Sequence, residues 1–315
     1  MAKQAVLLLA HGSPETVEQI PEYLRNVTGG RTLPLVAIAE IQHRYALIGR
    51  SPLTEIAFEQ GRLVEEELAA AELAETGWPI PVYVGMRNWR PYIADVVRQM
   101  LADGVEEAAV LCLAPHNSRT SVGLYRQAVE AAADGLRIEF IESWAQHPLL
   151  AEAFAERLRP AVAKLSAEAG APVPVLFTAH SVPCRTIQAF GGEAADPYAE
   201  EAKRTAALVA ERVDGISQWW FAFQSQGLSG GPWIGPTVEQ TLDDAAASGV
   251  RALLLQPIGF LCDHVEILYD VDILFRGYAA KLGIRLERPE SLNASATLVR
   301  AITDLARQGL ARLRD

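Results

Sequence analysis

The sequence predicts an α/β protein made of two similar Rossmann-like halves, each with a four-stranded parallel sheet flanked by helices. Three observations predict it. Short apolar runs ending in Gly, Pro or His recur along the chain, and they are apolar throughout rather than alternating, as strands buried on both faces are. Helix-length segments separate them. The signatures at the strand ends then recur in the second half in the same order as in the first.

In the first half, strands are expected at Ala5–Ala10, Pro81–Gly85, Ala109–Ala114 and Arg137–Glu142. In the second they are expected at Val173–Ala179, Gln218–Phe223, Ala252–Gln256 and Ile284–Arg288. Leu63–Leu73, rich in Glu, Ala and Leu, exemplifies the crossover helices. Ala10-His11-Gly12-Ser13-Pro14 closes the first strand of one half, and Ala179-His180-Ser181-Val182-Pro183 closes that of the other. Both put a His at the carboxyl end of a strand, with Pro three residues later. The third strands run into Pro115 and Pro257, and Glu142-Ser143-Trp144 is echoed by Glu290-Ser291-Leu292. The join falls between Trp144 and Pro172, which divides the chain into 1–150 and 151–315. A terminal helix of about 293–313 is expected to pack on the first half.

Composition narrows the function. The chain has 315 residues, room for two domains at about 150 residues each. Its 28 Lys and Arg against 39 Asp and Glu leave a net charge of −11. With four lysines and no basic run, a nucleic-acid partner is not expected. Cys112, Cys184 and Cys262 are widely spaced and form no CxxC, so neither an iron–sulfur cluster nor a structural zinc site is expected. An odd cysteine count without a signal peptide fits a reducing cytosol, and a cytoplasmic protein is expected. Nothing reaches the ~18 apolar residues of a spanning helix. A monomer is expected, with peripheral contact to a membrane or a pathway enzyme left open. GxGxxG, Walker A and HExxH motifs are all absent.

Ligands of open α/β sheets bind outside the carboxyl ends of the strands, which puts His11, His116, His180 and Gln224–Gly227 around one cleft. A neutral imidazole at a strand end can bind a metal or accept a proton near neutral pH; the alternative for His180 and His11 is a histidine that caps its loop. In Asp263–Asp272, a helix would put Asp263, Glu266 and Asp270 on one face and Leu261, Val265 and Leu268 on the other. Stacked carboxylates call for a divalent metal or a proton flux, unless the face is simply solvated. After His116, the residues Asn117, Ser118, Arg119 and Ser121 open a helix that either holds an anion or caps itself. Trp233, in a Gly/Pro-rich loop, either lines a pocket for a flat ligand or packs in the core.

Taken together and in order, these segments resemble the ferrochelatase family, enzymes that insert ferrous iron into a porphyrin. The resemblance runs over nearly the whole chain. It includes Leu9–Pro14, Arg44-Tyr45, Gly49–Leu53, Tyr83–Arg87, Leu113–His116, Ser121-Val122 with Tyr125, and Glu142–Trp144. In the second half it includes Ala179–Pro183, Asp196–Tyr198, Gln224–Gly227, Trp233–Pro236, Asp263–Glu266 and Leu268–Asp270. The resemblance implies a two-domain chelatase-type fold, a lyase-type metal chelatase of haem biosynthesis, and a porphyrin in the interdomain cleft. It puts the metal-site pair on His180 and Glu266, with Asp270 continuing an acidic path. It places His11, Arg44, Tyr45, Ser51 and Tyr125 against the porphyrin. Ferrous iron enters as substrate, and no other cofactor is implied. The rival readings are a cobalt or nickel chelatase for another tetrapyrrole and a non-enzymatic haem-binding protein.

The chain departs from the family in places. His11 stands where many short bacterial relatives carry Tyr, and imidazole is a better ligand for iron or zinc than a neutral phenol. Thr28 replaces an Arg that can meet a propionate; Arg31 is the nearest substitute. Leu274 and Asn88 replace an outer Glu and His, and Gly191–Ala195 lengthens the segment before Asp196. The short segment between Tyr23 and Arg44 resembles types that accept coproporphyrin III, whereas Thr28 points toward protoporphyrin IX, so both rings stay in play.

Overall fold

Among the described residues, eight parallel strands form two sheets of four. In the computed structural model, residues 2–76, 79–189, 194–227 and 231–314 are described, residues 70–76 by their backbone alone. The first sheet contains β1 (Gln4–Ala10), β2 (Val82–Met86), β3 (Glu107–Cys112) and β4 (Arg137–Ile141), in the order β2-β1-β3-β4. The second contains β5 (Val175–His180), β6 (Trp219–Gln224), β7 (Ala252–Pro257) and β8 (Arg285–Glu287), in the order β6-β5-β7-β8. Each half thus places its second, first, third and fourth strands in the same order, and every pairing is parallel. Each strand lies within two residues of its expected position.

The helices are α1 (Ile20–Val27), α2 (Leu35–Ile48), α3 (Leu53–Thr76), α4 (Ile93–Ala102) and α5 (Val122–Glu130), then α6 (Pro148–Ala169) and α7 (Cys184–Ile187). They continue with α8 (Tyr198–Ala210), α9 (Val238–Ala247), α10 (Arg276–Lys281) and α11 (Ala296–Arg314). Local chemistry sets their ends. Pro148 opens α6 while the His147 ring accepts from the Leu149 amide, and Gly170 closes it at φ +70°. Thr237 and Gln240 form a reciprocal capping box on α9.

The central strands β1 and β3 are buried almost throughout because helices cover both sheet faces. One face of β1 and β3, with Val6, Leu8, Ala109 and Leu111, shares a continuous core with Phe154 and Leu158 of α6 and with Phe177 and Leu254 of the second sheet. From the far end of the chain, α11 joins this core through Leu298, Ile302, Leu305 and Leu310. A methyl group added at Gly309 would stand 2.8 Å from Ala109 Cβ, so α11 lies directly on β3. The opposite faces pack separately, against α4 and α5 in the first half and against α9 and α10 in the second.

The acidic run differs from its expected form. Glu266–Phe275 is π-helical, with the wider i→i+5 bonding, and it buries Ile267, Asp270, Val271 and Phe275. Asp263 lies before this helix and not on its acidic face. Its carboxylate accepts from Arg288 (3.1 Å), Ser291 Oγ (2.7 Å) and Asn293 Nδ2 (3.1 Å), so it is a structural anchor. The lengthened Gly191–Ala195 segment lies largely outside the described residues.

Candidate active site

The carboxyl ends of both sheets open on one cavity of about 390 Å³, within the size range of small-molecule and cofactor sites. Six of the eight expected site residues line it: His11, Tyr45, Ser51, Tyr125, His180 and Glu266. The other two, Arg44 and Asp270, stand outside the lining and face each other at 3.5 Å. Arg44 also pairs with Glu40 and lies over the Tyr269 ring, so its charge is already met within the protein.

His11 follows β1 and His180 ends β5, and each turns its Nδ1 onto the carbonyl of the next residue, Gly12 at 3.1 Å and Ser181. His264 does the same with the Cys262 carbonyl at 3.0 Å. A carbonyl only accepts, so each Nδ1 carries the proton and each Nε2 is free for other work. Gly12 permits this turn. It adopts φ +78°, and a Cβ there would meet Trp89 Cβ at 2.8 Å.

Glu266 sits between two imidazoles. Oε1 lies 3.5 Å from His180 Nε2, and Oε2 lies 3.8 Å from His264 Nε2. Burial alone would lower the His180 pKa, but the Glu266 carboxylate outweighs it and the net shift is upward. Burial would likewise raise Glu266, yet the two imidazoles hold it well below the usual carboxylate range. Asp270 is raised by burial, against an opposing hydrogen bond from Ser225 Oγ. His11 is lowered to about 4 by burial and by the neighbouring Arg87 charge. It therefore stays neutral at pH 7, with Tyr23 OH 3.1 Å from its Nδ1.

His116 lines the cavity, buried and lowered to about 3, with Nε2 3.0 Å from Thr205 Oγ1. The expected anion at this loop is supplied by the chain itself. The Asn117 amide donates to Glu201 (2.6 Å) and the Arg119 amide to Asp196 (2.7 Å). This ties the first half to α8 of the second. Trp233 lines the cavity. Of the departures, Thr28 bonds its own helix end and Arg31 is exposed, while Asn88 is buried and Leu274 exposed. His264 and Arg87 fall within the family motifs, yet nothing in the sequence assigns them a role. His264 was missed because a helix would turn it away from Glu266; it lies in the turn before the helix begins.

Two parallel sheets in the same order, with a His–Glu pair over the shared cleft, define a two-domain chelatase-type protein. The cobalt complex of the sirohydrochlorin chelatase SirB from Bacillus subtilis subspecies spizizenii shares this fold at a TM-score of 0.57 and 11% identity, covering 98% of this chain and 95% of that one. SirB from Bacillus subtilis with Fe3+ aligns at 0.59 and 11% identity, over 99% and 97% of the two chains. The sequence pattern of the family described as Ferrochelatase matches residues 3–310. A ferrochelatase of Acidobacterium capsulatum is 57% identical over 99% of this chain and 96% of its own. The coproporphyrin III ferrochelatase of Bacillus subtilis is 31% identical over 98% and 99%. The chain belongs to the ferrochelatase family, enzymes of the metal-chelating lyase class.

Proposed function

We propose that this protein inserts ferrous iron into a porphyrin held in the cleft between its two halves, 1–150 and 151–315. The observation that carries this reading is the His180–Glu266 pair, 3.5 Å apart on the cavity wall. Metal insertion must remove two pyrrole protons, and a ring bent by its pocket exposes the nitrogen lone pairs that a flat ring hides. His180 accepts the protons, with Glu266 as its charge partner, and both serve as the handles for iron. Asp270, its pKa raised by burial, relays protons outward through Ser225 and the Arg44 side.

Coproporphyrin III is the favoured ring. The short segment before Arg44 supports it, as do relatives named coproporphyrin III ferrochelatase at 31–35% identity. His11, Tyr45, Ser51 and Tyr125 contact the ring from the cavity wall, and Arg44 from outside it. The protein works as a cytoplasmic monomer with iron as substrate and without an iron–sulfur cluster or a nucleic-acid partner. No helix among the described residues is long and apolar enough to cross a membrane. The test is anaerobic Fe²⁺ insertion followed by the Soret and visible bands, with coproporphyrin III and protoporphyrin IX in parallel. Faster turnover of coproporphyrin III supports the reading; faster turnover of protoporphyrin IX overturns the ring assignment, and turnover of neither overturns the activity.

A further inference from the structure

Among the described residues, Arg87 is a cation left without an anion. It follows β2 directly, and its backbone is fixed beside β1: its amide donates to Ala10 O (2.9 Å), and the next amide, of Asn88, donates to His11 O (3.0 Å). Its side chain lines the cavity, with the guanidinium carbon 5.2 Å from the centre of the Tyr125 ring. Among the described residues no carboxylate pairs with it, and its Nε is fully buried without a hydrogen-bond partner. Other inward arginines differ. Arg44 meets Asp270, Arg119 meets Asp196, and Arg288 meets Asp263 and Asp272. Arg87 is half-buried, and a guanidinium whose Nε is sealed from water without a partner or a nearby anion is costly; stacking on Tyr125 recovers only part of that cost. The same cavity wall holds a second orphan, Ser51 Oγ, also buried without a partner.

Resting on the ferrochelatase reading above, we propose that Arg87 binds a carboxylate substituent on the porphyrin edge that lies against Tyr125. The guanidinium fork matches a carboxylate in geometry and charge. Its charge already reaches into the cavity, where it helps to keep His11 neutral. The site consequently selects among rings. Coproporphyrin III carries a propionate on every pyrrole, so any orientation of the ring presents a carboxylate to Arg87. Protoporphyrin IX carries propionates on two pyrroles only, so orientations that turn a vinyl edge toward Arg87 leave the cation unmet. Such a mismatch discriminates strongly, because the unpaired group stays buried in the complex.

The test measures binding without metal, by quenching of porphyrin fluorescence in detergent. Coproporphyrin III and its tetramethyl ester are compared on the wild type, Arg87→Gln and Arg87→Lys. Arg87→Gln is expected to weaken the free acid about 10- to 100-fold and the ester less than about twofold, as loss of a charge-assisted hydrogen bond requires. Arg87→Lys, which keeps the charge but loses the fork, recovers part of the loss. The thermal midpoint of ligand-free Arg87→Gln matches or exceeds the wild type, since relief of the unmet cation outweighs the lost stacking on Tyr125. Equal weakening of acid and ester, no weakening of either, or a lowered midpoint overturns the assignment. A wild type that binds neither the acid nor the ester overturns the chelatase reading itself, a result distinct from a failure confined to Arg87.

Discussion

His180 Nε2 stands 3.5 Å from Glu266 Oε1, and each of these side chains keeps 32% of its surface open. The pair is preformed yet accessible, as a group that meets a large planar substrate must be. Replacing His180 with Ala should cost at least 100-fold in iron insertion, in the range of a lost general base, while porphyrin affinity stays within about threefold. Steady-state insertion and fluorescence quenching, measured side by side, check this; retained insertion at normal affinity would remove His180 from the mechanism.

Glu266 sets the proton affinity of His180. Burial favours the neutral imidazole, and the carboxylate reverses that preference. In Glu266→Gln the reversal is lost, and the His180 titration should fall below the ordinary histidine value near 6.5. Imidazole resonances followed by NMR against pH report it directly. An unshifted His180 titration in the variant would show that the pair is not electrostatically coupled.

His116 should make the protein acid-sensitive. Its folded pKa of about 3 lies below its unfolded value near 6.5, so the unfolded chain takes up the proton first. The stabilisation is complete above about pH 6.5 and declines as pH falls toward 3. On the order of 3 kcal/mol disappears between pH 7 and pH 4 from this residue. His116→Asn is expected to flatten that slope, even though it is less stable at pH 7 for want of the Thr205 contact. Denaturant midpoints at several pH values decide it, and parallel slopes for the two proteins would refute it.

Gly12→Ala is expected to destabilise by about 2–4 kcal/mol, through a positive φ and a methyl group forced against Trp89. It should also disturb His11, whose ring is held by the Gly12 carbonyl. Urea unfolding measures the first effect. A stability within 0.5 kcal/mol of the wild type, as at ordinary surface positions, would show that the turn relaxes freely.

The strand layout was legible because fully buried parallel strands read as continuous apolar runs, and β1 and β5 end on matching His motifs. That His180 and Glu266 face each other was legible only through the family resemblance. The π-helical form of Glu266–Phe275 was not, since side-chain spacings of three and four residues do not distinguish it from an α-helix. Asp263 was misplaced because its partners Arg288, Ser291 and Asn293 come from the segment after β8. The anion at the Asn117–Arg119 turn was hidden for the same reason, being supplied by Glu201 and Asp196. Arg87 was invisible as a site because the absence of a partner is a three-dimensional property.

The seat of α11 on β3 also governs the order in which the molecule can be completed. Part of the face of the first sheet that carries Val6, Leu8, Ala109 and Leu111 is closed by α11, which leaves the ribosome well after β4. At usual elongation rates the wait between β4 and α11 is about ten to thirty seconds. Throughout that interval the nascent amino-terminal half exposes a hydrophobic surface that no earlier segment of the chain can cover in the native way. A message truncated shortly before α11 would therefore yield an aggregation-prone product, not a smaller stable one.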